Sequence, residues 1–445
     1  MRVLIVGAGH VGESIAADLA DAHDVVIVER DAERCEELTY SLDVLTVNGD
    51  GTAVSTLEEA GVGDADMVVA STDDDETNIV VCSTAKAVSD AFTIARIKHT
   101  EYLRTWERSR QAFGIDFMVC TNLLTAESIV RVIGLPAARD VDPFADGKVQ
   151  MAEFVVSEES PLIGQTVSEA DRFDSLTFAS IMRHDEVVIP SGETVIEAGD
   201  RAVVIGSPGS VRGFAADVAP EEHVGTGEEV VIVGGSEIGY HTARLLGERG
   251  FSPRLIERDE DRARELAENL PETVVMQSDA TDVSFLERER VGDADVLIAA
   301  LDSDEKNLLS CLLATRLGVE RTVAVVDQTA YVDLFETVGI DVGVSPRAVV
   351  AEEITRFTQE SGAENVALIE DDRAEVMEVE VTADSLLVDR PISESIHDFP
   401  PCLVIGAITR GGELVTPRGD TVIREGDHVV VFFEQSVVDE VAEKL

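Results

Sequence analysis

Three glycines near the start of the chain have the spacing of a phosphate-binding loop. Gly7, Gly9 and Gly12 form a GxGxxG pattern between an apolar run and a segment with helical apolar spacing. In such loops the first glycine permits a tight turn, the second admits a pyrophosphate, and the third lets helix and strand pack closely. The N–H groups at the helix N-terminus attract the phosphates. We expect His10 and Val11 to lie beside the ligand as loop residues, without an acid–base role.

An acidic residue, Glu29, stands at the end of the second predicted strand. A carboxylate at this place accepts hydrogen bonds from both ribose hydroxyls and repels a 2′-phosphate. The sequence therefore favours adenosine nucleotides or NAD over NADP. The alternative is an inherited fold that has lost its ligand.

Further polar residues follow the other strands, at the sheet edge where a dinucleotide lies. Asp50 is a candidate for base or ribose contact, Ser71 and Thr72 follow strand four, and Arg96 ends strand five and suits a phosphate. Each has a structural alternative: a turn or helix cap for Asp50, Ser71 and Thr72, and neutralisation of neighbouring carboxylates for Arg96. The acids at 73–76 fit a cation site or the first turn of a helix, and we favour the helix.

The same pattern returns 227 to 229 residues later with one change. VLIVGAGHVG at 3–12 becomes VVIVGGSEIG at 230–239, so Ser236 replaces the middle glycine of GxGxxG. Its β-carbon narrows the approach to a pyrophosphate, and Glu237 adds negative charge. The second set of candidate binding residues is Gly234, Gly235, Ser236, Gly239, Glu257 and Asp279. We expect weaker binding there, or a different ligand; the alternative is a purely structural duplicate.

Apolar strands alternate with amphipathic helices over the first 135 residues, which predicts a doubly wound parallel sheet. The predicted strands are 1–6, 25–28, 44–47, 67–70 and 93–97, with a sixth at 117–119. The predicted helices after the glycine loop are 31–41, 53–60, 75–89, 101–112 and 124–132. Residues 149–218 change character, because short strands at 149–156, 178–183, 186–189 and 201–205 alternate with turn sequences.

The β-rich segment is also duplicated: PSGETVIEAGDRAVVIG at 190–206 returns as PRGDTVIREGDHVVVFF at 417–433. We therefore predict four domains in A-B-A-B order. They are two Rossmann-like domains, 1–135 and 228–360, each followed by a small α+β domain, 140–220 and 365–445. A linker is expected at 220–227 and a closing helix at 436–444. Duplication of both parts suits a symmetric sensing assembly better than an enzyme with one unique substrate domain.

Charge and composition exclude several classes of function. Eighty-eight acidic residues against 35 basic ones give a net charge of −53, which disfavours binding to nucleic acid or anionic lipid. No apolar run approaches the roughly 18–20 residues that span a bilayer, so we expect no direct membrane insertion. Five cysteines without a CxxC pair indicate a reducing cytosol. No metal-protease, hydrolase or P-loop motif is present, and we expect no catalytic metal.

Such a charge predicts that stability depends on salt. Repulsion among carboxylates weakens the compact state in dilute buffer, and about 1 M salt shortens the screening length to about 3 Å. We expect a protein of a salt-rich cytosol, as in a halophilic archaeon, whose thermal midpoint rises steeply with KCl. Circular dichroism melting curves at low and molar KCl test this; equal midpoints would contradict it.

The repeated motifs resemble a known family of regulatory modules. VLIVGAGHVGESIAADL, VERD, VNGDGT, GDADMVVASTDDDETN and IARIKHTEY, followed by SGETVIEAGDRAVVIG, resemble RCK modules, which regulate potassium conductance. The tandem order is similar to that of the TrkA family, the cytosolic regulatory subunits of Trk potassium uptake systems. The glycine motif carries over to Gly7, Gly9, Gly12 and Glu29, and less completely to the second copy because of Ser236.

The resemblance implies a non-enzymatic regulator. Its ligands would be NAD(H), ATP or ADP, and it would form a homo-oligomeric ring beneath a separate integral-membrane potassium-translocating subunit. Its place would be cytoplasmic, peripheral at the inner face of the plasma membrane. One alternative is an NAD-dependent oxidoreductase, which needs an acid–base residue in a unique substrate domain. Another is an RCK-type regulator of a different cation transporter.

Overall fold

The computed structural model describes most of the chain. The residues outside the description are 21–22, 109–112, 136–137, 159, 184–185, 219–228, 357–362, 370–373, 384, 435–436, 438–440, 442–443 and 445. For residues 146, 356 and 363–369 only the backbone is described. The predicted linker at 220–227 and most of the predicted closing helix at 436–444 lie outside the described residues.

The first part of the chain forms the predicted doubly wound sheet. Its strands are β1 (Arg2–Val6), β2 (Asp24–Glu29), β3 (Leu45–Asn48), β4 (Met67–Ala70), β5 (Phe92–Ile97) and β6 (Phe117–Cys120). Its helices are α1 (His10–Ala20), α2 (Ala32–Ser41), α3 (Val54–Glu59), α4 (Asp75–Val88), α5 (Thr100–Arg108) and α6 (Thr121–Ile133). All neighbouring strands are parallel, in the order β3-β2-β1-β4-β5-β6. The order reverses between β1 and β4, where open α/β sheets bind ligands.

An antiparallel sheet follows, in the order β10-β9-β11-β8-β7. Its elements are β7 (Ala138–Phe144), β8 (Val149–Val155), α7 (Val167–Ala170), β9 (Leu176–Arg183), β10 (Glu186–Val188), β11 (Arg201–Gly206) and α8 (Pro208–Val218). Strand β7 is absent from the sequence-based prediction. Its sequence, ARDVDPF, contains two aspartates and a proline, and such residues are tolerated at the sheet edge where β7 lies.

The second Rossmann-like part repeats the first in parallel strand order β14-β13-β12-β15-β16-β17. Its strands are β12 (Val230–Val233), β13 (Arg254–Glu257), β14 (Val274–Gln277), β15 (Val296–Ala299), β16 (Arg321–Val325) and β17 (Val342–Val344). Its helices are α9 (Glu237–Glu248), α10 (Glu260–Asn269), α11 (Val283–Arg288), α12 (Asp304–Leu317), α13 (Val332–Thr337) and α14 (Pro346–Arg356). Cys82 and Cys311, at matching places in α4 and α12, are fully buried, as expected for core residues.

A second antiparallel sheet completes the described chain, in the order β18-β19-β22-β20-β21. Its elements are β18 (Ala363–Ile369), β19 (Ala374–Glu380), α15 (Ile392–Ser395), β20 (Val404–Arg410), β21 (Glu413–Val415) and β22 (His428–Glu434). The A-B-A-B order of α/β and β-rich parts is thus the order that the repeated motifs predict.

The four parts form two compact units. One contains Met1–Ile129 and Glu228–Thr358, and the other contains Val130–Gly227 and Gln359–Leu445. Within the first unit, helix α14 follows the second parallel sheet along the chain but packs against α1 of the first. Its fully or nearly fully buried Val350, Ala351 and Ile354 belong to the core that contains the inner strands of the first sheet.

In the second unit, each β-rich part contains the same Arg–Asp ion pair. The aspartate of each pair belongs to the repeated segment at 190–206 or 417–433. Arg410 donates from Nε and Nη2 to the two carboxylate oxygens of Asp427 at 2.8 and 2.7 Å. Arg183 makes the same two-pronged contact with Asp200. Asp427 is almost fully buried. Burial alone raises the pKa of Asp427, but the hydrogen bonds from Arg410 and the Arg424 N–H outweigh it and hold the pKa below its usual value.

We expect Asp427→Asn to lower the free energy of unfolding by about 1–3 kcal/mol at pH 7, since charge-assisted bonds are lost. Because the pKa of Asp427 is lower in the folded protein, its ionised carboxylate stabilises the fold fully above the unfolded pKa of about 3.9. This stabilisation disappears as the pH falls through the pKa of the folded protein. Urea unfolding of both proteins in molar KCl at pH 7 and pH 3 measures this. If the difference in free energy of unfolding between the unmodified chain and Asp427→Asn is the same at both pH values, the prediction is wrong.

Candidate functional site

A cleft of about 440 Å³ lies at the carboxyl edge of the first parallel sheet. Five of the predicted site residues line it: Gly7, Gly9, Glu29, Asp50 and Thr72. They come from the ends of β1, β2, β3 and β4, which this sheet order brings to one edge. These five residues, which come from separate sequence motifs, therefore line one cleft.

The glycine loop is shaped by contacts that exclude side chains at two of its three positions. Gly7 has φ +100°, a conformation that L residues rarely adopt. A Cβ on Gly12 would lie 2.0 Å from the carbonyl oxygen of Gly7, so this glycine permits the helix to approach the strand. A Cβ on Gly9 would meet no protein atom within 4 Å and would project into free space. Gly9 therefore leaves open space at the N-terminus of α1, a place whose free N–H groups suit an anion.

Glu29 links the glycine loop to the end of β2. Its Oε2 accepts the Ala8 N–H at 2.7 Å, and its Oε1 accepts the Asp31 N–H at 2.8 Å. Each carboxylate oxygen has a second lone pair, and the residue lines the cleft. The carboxylate is thus held in place by two backbone bonds and retains acceptors for a ribose diol.

Asp50 adopts the turn that the sequence left as an alternative, while still lining the cleft. Its Oδ1 accepts both the N–H and the hydroxyl of Thr52, and these bonds lower the pKa of Asp50. Asp279 makes the same contacts with Thr281, and its pKa is likewise lowered. Both side chains are therefore ionised acceptors of fixed orientation, and of the two Asp50 lines the cleft.

The acids at 73–76 serve the helix that follows β4. Asp74 caps α4 by accepting the Thr77 N–H at 2.8 Å, and Asp75 is buried and accepts the N–H groups of Lys98 and His99. Within the part of the chain that the structure describes, no group of three or more His, Cys, Asp and Glu side chains is placed to hold a metal ion. The helix interpretation of these acids agrees with this geometry.

The second glycine loop repeats the glycine geometry of the first, but a serine side chain stands at its middle position. Gly234 has φ +103°, and a Cβ on Gly239 would lie 2.1 Å from the Gly234 carbonyl oxygen. Glu257 accepts the Gly235 N–H at 2.8 Å, as Glu29 does for Ala8. Ser236, however, caps α9: its Oγ accepts the Gly239 N–H and donates to the Ala300 carbonyl at 2.7 Å. The Ser236 hydroxyl thus already accepts the Gly239 N–H, a helix N-terminal donor of the kind that a phosphate would use.

Four more of the predicted residues line a larger cavity of about 750 Å³ between the two Rossmann-like parts of the first unit, whereas Gly12 and the predicted residues of the second loop line neither the cleft nor this cavity. The four are His10, Val11, Ser71 and Arg96, and Gly9 and Asp73 line both the cleft and this cavity. Ser71 also supports the loop, since its hydroxyl donates to the Gly7 carbonyl at 3.1 Å. Cleft and cavity therefore meet at the middle glycine of the loop.

Several lining residues were not identified from the sequence. Arg30, Gly49, Gly51 and Thr77 line the cleft, and Lys98 lines the cavity. A Cβ on Gly51 would lie 2.2 Å from a side-chain carbon of Val6, but the sequence does not signal this, because the second copy has Ala280 at the same position. Arg30 and Lys98 have no signal either, since arginine and lysine beside a strand end are usually solvated surface residues.

The comparisons with known proteins cover nearly the whole chain. The TrkA-N domain model matches residues 3–121 and 230–346, and the TrkA-C domain model matches 151–218 and 376–445. The Trk system potassium uptake protein TrkA homolog 1 of Methanosarcina mazei is 37% identical over 449 residues, covering 99% of both chains. The Trk system potassium uptake protein TrkA of Halomonas elongata is 33% identical over 441 residues, covering 97% of this chain and 95% of its own.

Solved structures share the fold at lower sequence identity. The GsuK channel bound to NAD has a TM-score of 0.62 at 20% identity, covering 99% of this chain and 79% of that one. The GsuK RCK domain has a TM-score of 0.61 at 20% identity, covering 99% and 95% respectively. At this identity the likeness establishes the arrangement of elements.

Proposed function

The chain belongs to the TrkA family, and from this membership we propose that it is a nucleotide-binding regulatory subunit of a potassium uptake system. Its ligands are adenine nucleotides: NAD(H), ATP or ADP. The ligand changes the conformation of the subunit, and a separate integral-membrane protein translocates potassium. The chain itself carries out no reaction.

The observation that carries this proposal is the open middle glycine beside a fixed ribose-binding carboxylate. Gly9 leaves free space over the N-terminus of α1, and Glu29, which lines the same cleft, is held by two backbone N–H groups. A pyrophosphate and a ribose of one nucleotide fit these two features. The proposed ligand contacts are Gly7, Gly9, His10, Val11, Gly12, Glu29, Asp50, Ser71, Thr72 and Arg96. At the second loop they are Gly234, Gly235, Ser236, Gly239, Glu257 and Asp279, with weaker binding because Ser236 already caps its helix.

The cleft is lined by the first Rossmann-like part alone, but it meets the cavity between the two parts at Gly9 and Asp73, and the proposed regulation depends on a ligand that reaches this cavity. A ligand shifts a conformational equilibrium only by the difference in its affinity for the two states. Contacts to the second Rossmann-like part make its affinity depend on how the two parts are arranged. In a ring of several identical chains, modest differences at each site add together.

Location and assembly are also part of the proposal. No helix among the described residues is long and apolar enough to span a membrane. We place the subunit in the cytoplasm, as a homo-oligomeric ring held at the inner face of the plasma membrane by its potassium-translocating partner. A net charge of −53 suits docking on a protein surface rich in Lys and Arg, which cytoplasmic loops of membrane proteins commonly are.

Calorimetric titration in molar KCl with ATP, ADP, NAD and NADH tests the proposal, with turnover of each ligand assayed on the same samples. We expect saturable binding of at least one nucleotide without consumption of it. Hydride transfer to any substrate would favour the oxidoreductase alternative, and absence of binding by all four would leave the glycine loop without a ligand.

A further inference from the structure

The edge strand of the first antiparallel sheet sets one carboxylate against another. Strand β7 pairs with β8, and a shift of register after Ala138 places Asp140 directly opposite Glu153. The Cβ atoms of residues opposed in this way lie about 4.5–5.5 Å apart. Glu153 is 7% exposed, and Asp140 is half-buried. Two acids therefore meet where water has little access.

The face that carries Asp140 is the face on which the two β-rich parts pack within the second unit. Phe144, at the end of β7, belongs to a buried core that also contains residues of the second β-rich part. The next residue, Ala145, donates its N–H to Oε2 of Glu378, in that second part, at 2.8 Å. Alternate residues of a strand point to the same face, so Asp140 shares this face with Phe144. Any movement of β7 therefore changes the packing of the two parts.

Asp140 has two carboxylate neighbours. Burial, and then the charges of Asp142 and Glu153, raise the pKa of Asp140 to about 7. The Val141 N–H, which Asp140 Oδ1 accepts at 2.8 Å, and the charge of Arg131 oppose this shift without cancelling it. The packed strand therefore favours the protonated form of Asp140 at a pH where an exposed aspartate is ionised.

The nearby positive charge acts mainly on Glu153. Nε of Arg201 lies 3.7 Å from Oε1 of Glu153, but burial still raises the pKa of this glutamate. Arg131 of α6 donates to the Val141 carbonyl of β7 at 3.0 Å. The charged groups around the two acids are Asp142 and Arg139 of β7, Arg201 of β11 and Arg131 of α6, with Glu378 of the second part at the end of β7.

The second β-rich part has no such pair of acids. Glu153 and Glu378 both stand third in the matched segments 151–218 and 376–445, so they are repeat equivalents. The backbone register places Asn365 opposite Glu378, where the first part has Asp140 opposite Glu153. The repeated sheet thus accepts an amide residue at this position, and a titratable residue there is a feature of the first part.

We propose that Asp140 is a pH switch of the second unit. With its proton, it allows β7 to lie closed against β8. Without its proton, repulsion from Asp142 and Glu153 opens this edge strand and loosens the packing of the two β-rich parts at Phe144. The packed state binds the proton more tightly than the open state does, so a rise in pH favours opening until Asp140 has ionised in the packed state. The switch lies outside the nucleotide-binding unit, and it adds proton concentration as a second input to the subunit.

Hydrogen exchange at the amides of residues 138–155 tests the switch. It is measured by mass spectrometry on the full chain in molar KCl without nucleotide, from pH 5 to pH 8.5. After correction for the intrinsic pH dependence of exchange, we expect opening to increase about tenfold between pH 6 and pH 8.5, the amount that proton linkage gives for a group that titrates near neutral pH only when packed. Asp140→Asn introduces the residue of the second copy, and it should abolish the increase.

Asp142→Asn is the matched control, because it removes one charge from the same face of the same strand. It leaves the titrating group in place and removes a neighbour that raises the pKa of Asp140. The increase in opening should therefore persist and move to lower pH. If Asp142→Asn abolishes the increase as completely as Asp140→Asn does, the response belongs to the total charge of the strand and the assignment to Asp140 is wrong.

The infrared C=O stretch of a protonated carboxylic acid gives a readout that a purely structural role of Asp140 would not change. At pH 6 the difference spectrum between the unmodified chain and Asp140→Asn should contain the band of one carboxylic acid, and at pH 8.5 this band should be absent. Opening that does not depend on pH, an increase that persists in Asp140→Asn, or the absence of the acid band at pH 6 would overturn the proposal. No nucleotide is added, so these results stand whether or not the proposed function holds.

Discussion

Gly9→Asp will abolish nucleotide binding at the first site without loosening the fold. A Cβ at this position meets no protein atom within 4 Å, so the chain without ligand has open space where the new side chain begins. The new carboxylate lies at the proposed phosphate position, and like charges in contact cost several kcal/mol, which corresponds to a loss of affinity of about a hundredfold or more. Titration calorimetry measures the affinity, and thermal unfolding by circular dichroism measures the stability.

Gly63→Asp is the matched control for this change. Gly63 is also exposed, and a Cβ placed on it would also meet no atom within 4 Å, but it lies away from the lining of the cleft. The substitution adds the same charge and should leave affinity and thermal midpoint nearly unchanged. Full affinity in Gly9→Asp would show that no phosphate lies over the loop.

Ile354→Ala will destabilise the first Rossmann-like part although residue 354 follows the second parallel sheet in the chain. Ile354 is fully buried in α14, within the core that includes Ile15 of α1. Removing a buried isoleucine down to alanine costs about 2–5 kcal/mol through lost burial and the cavity left behind. Because the proposed phosphate position is at the N-terminus of α1, we expect weaker nucleotide binding as well.

Urea unfolding in molar KCl, with and without saturating nucleotide, measures both effects. Val283→Ala, at a 40% exposed residue of α11, is the control and should cost less than about 1 kcal/mol. A loss for Ile354→Ala no larger than that of the control would contradict the packing of α14 on α1.

The parallel sheets were predictable because their signal is local. Strands such as β4 and β12 are unbroken apolar runs followed by helical spacing, and the repeat doubles the information in each motif. The edge strand β7 was not predictable, since its pairing with β8 satisfies the backbone without an apolar pattern. The placement of α14 on the first sheet was not predictable either, because nothing in a helix sequence says which of two similar cores it will join.

In the candidate site, too, the residues fixed by local backbone contacts were predictable and those brought together by packing were not. Gly7, Gly12 and Glu29 follow from sequence because each is required by a backbone contact close by in the fold. Arg347 was missed because it lines a cavity together with Arg96 only once the two parts pack together within the first unit. Ser236 was interpreted from the sequence as an obstruction, and the structure adds that its hydroxyl caps α9.

Potassium flux is the most direct test of the central claim that this chain regulates uptake in response to a nucleotide. The measurement uses proteoliposomes that contain a Trk-type membrane protein from the same source, with the chain added outside at molar salt together with ATP, ADP, NADH or no ligand. The account predicts that flux depends on both chain and nucleotide, and that the Gly9→Asp chain loses the nucleotide response. Flux that is the same with every ligand and without the chain would contradict it.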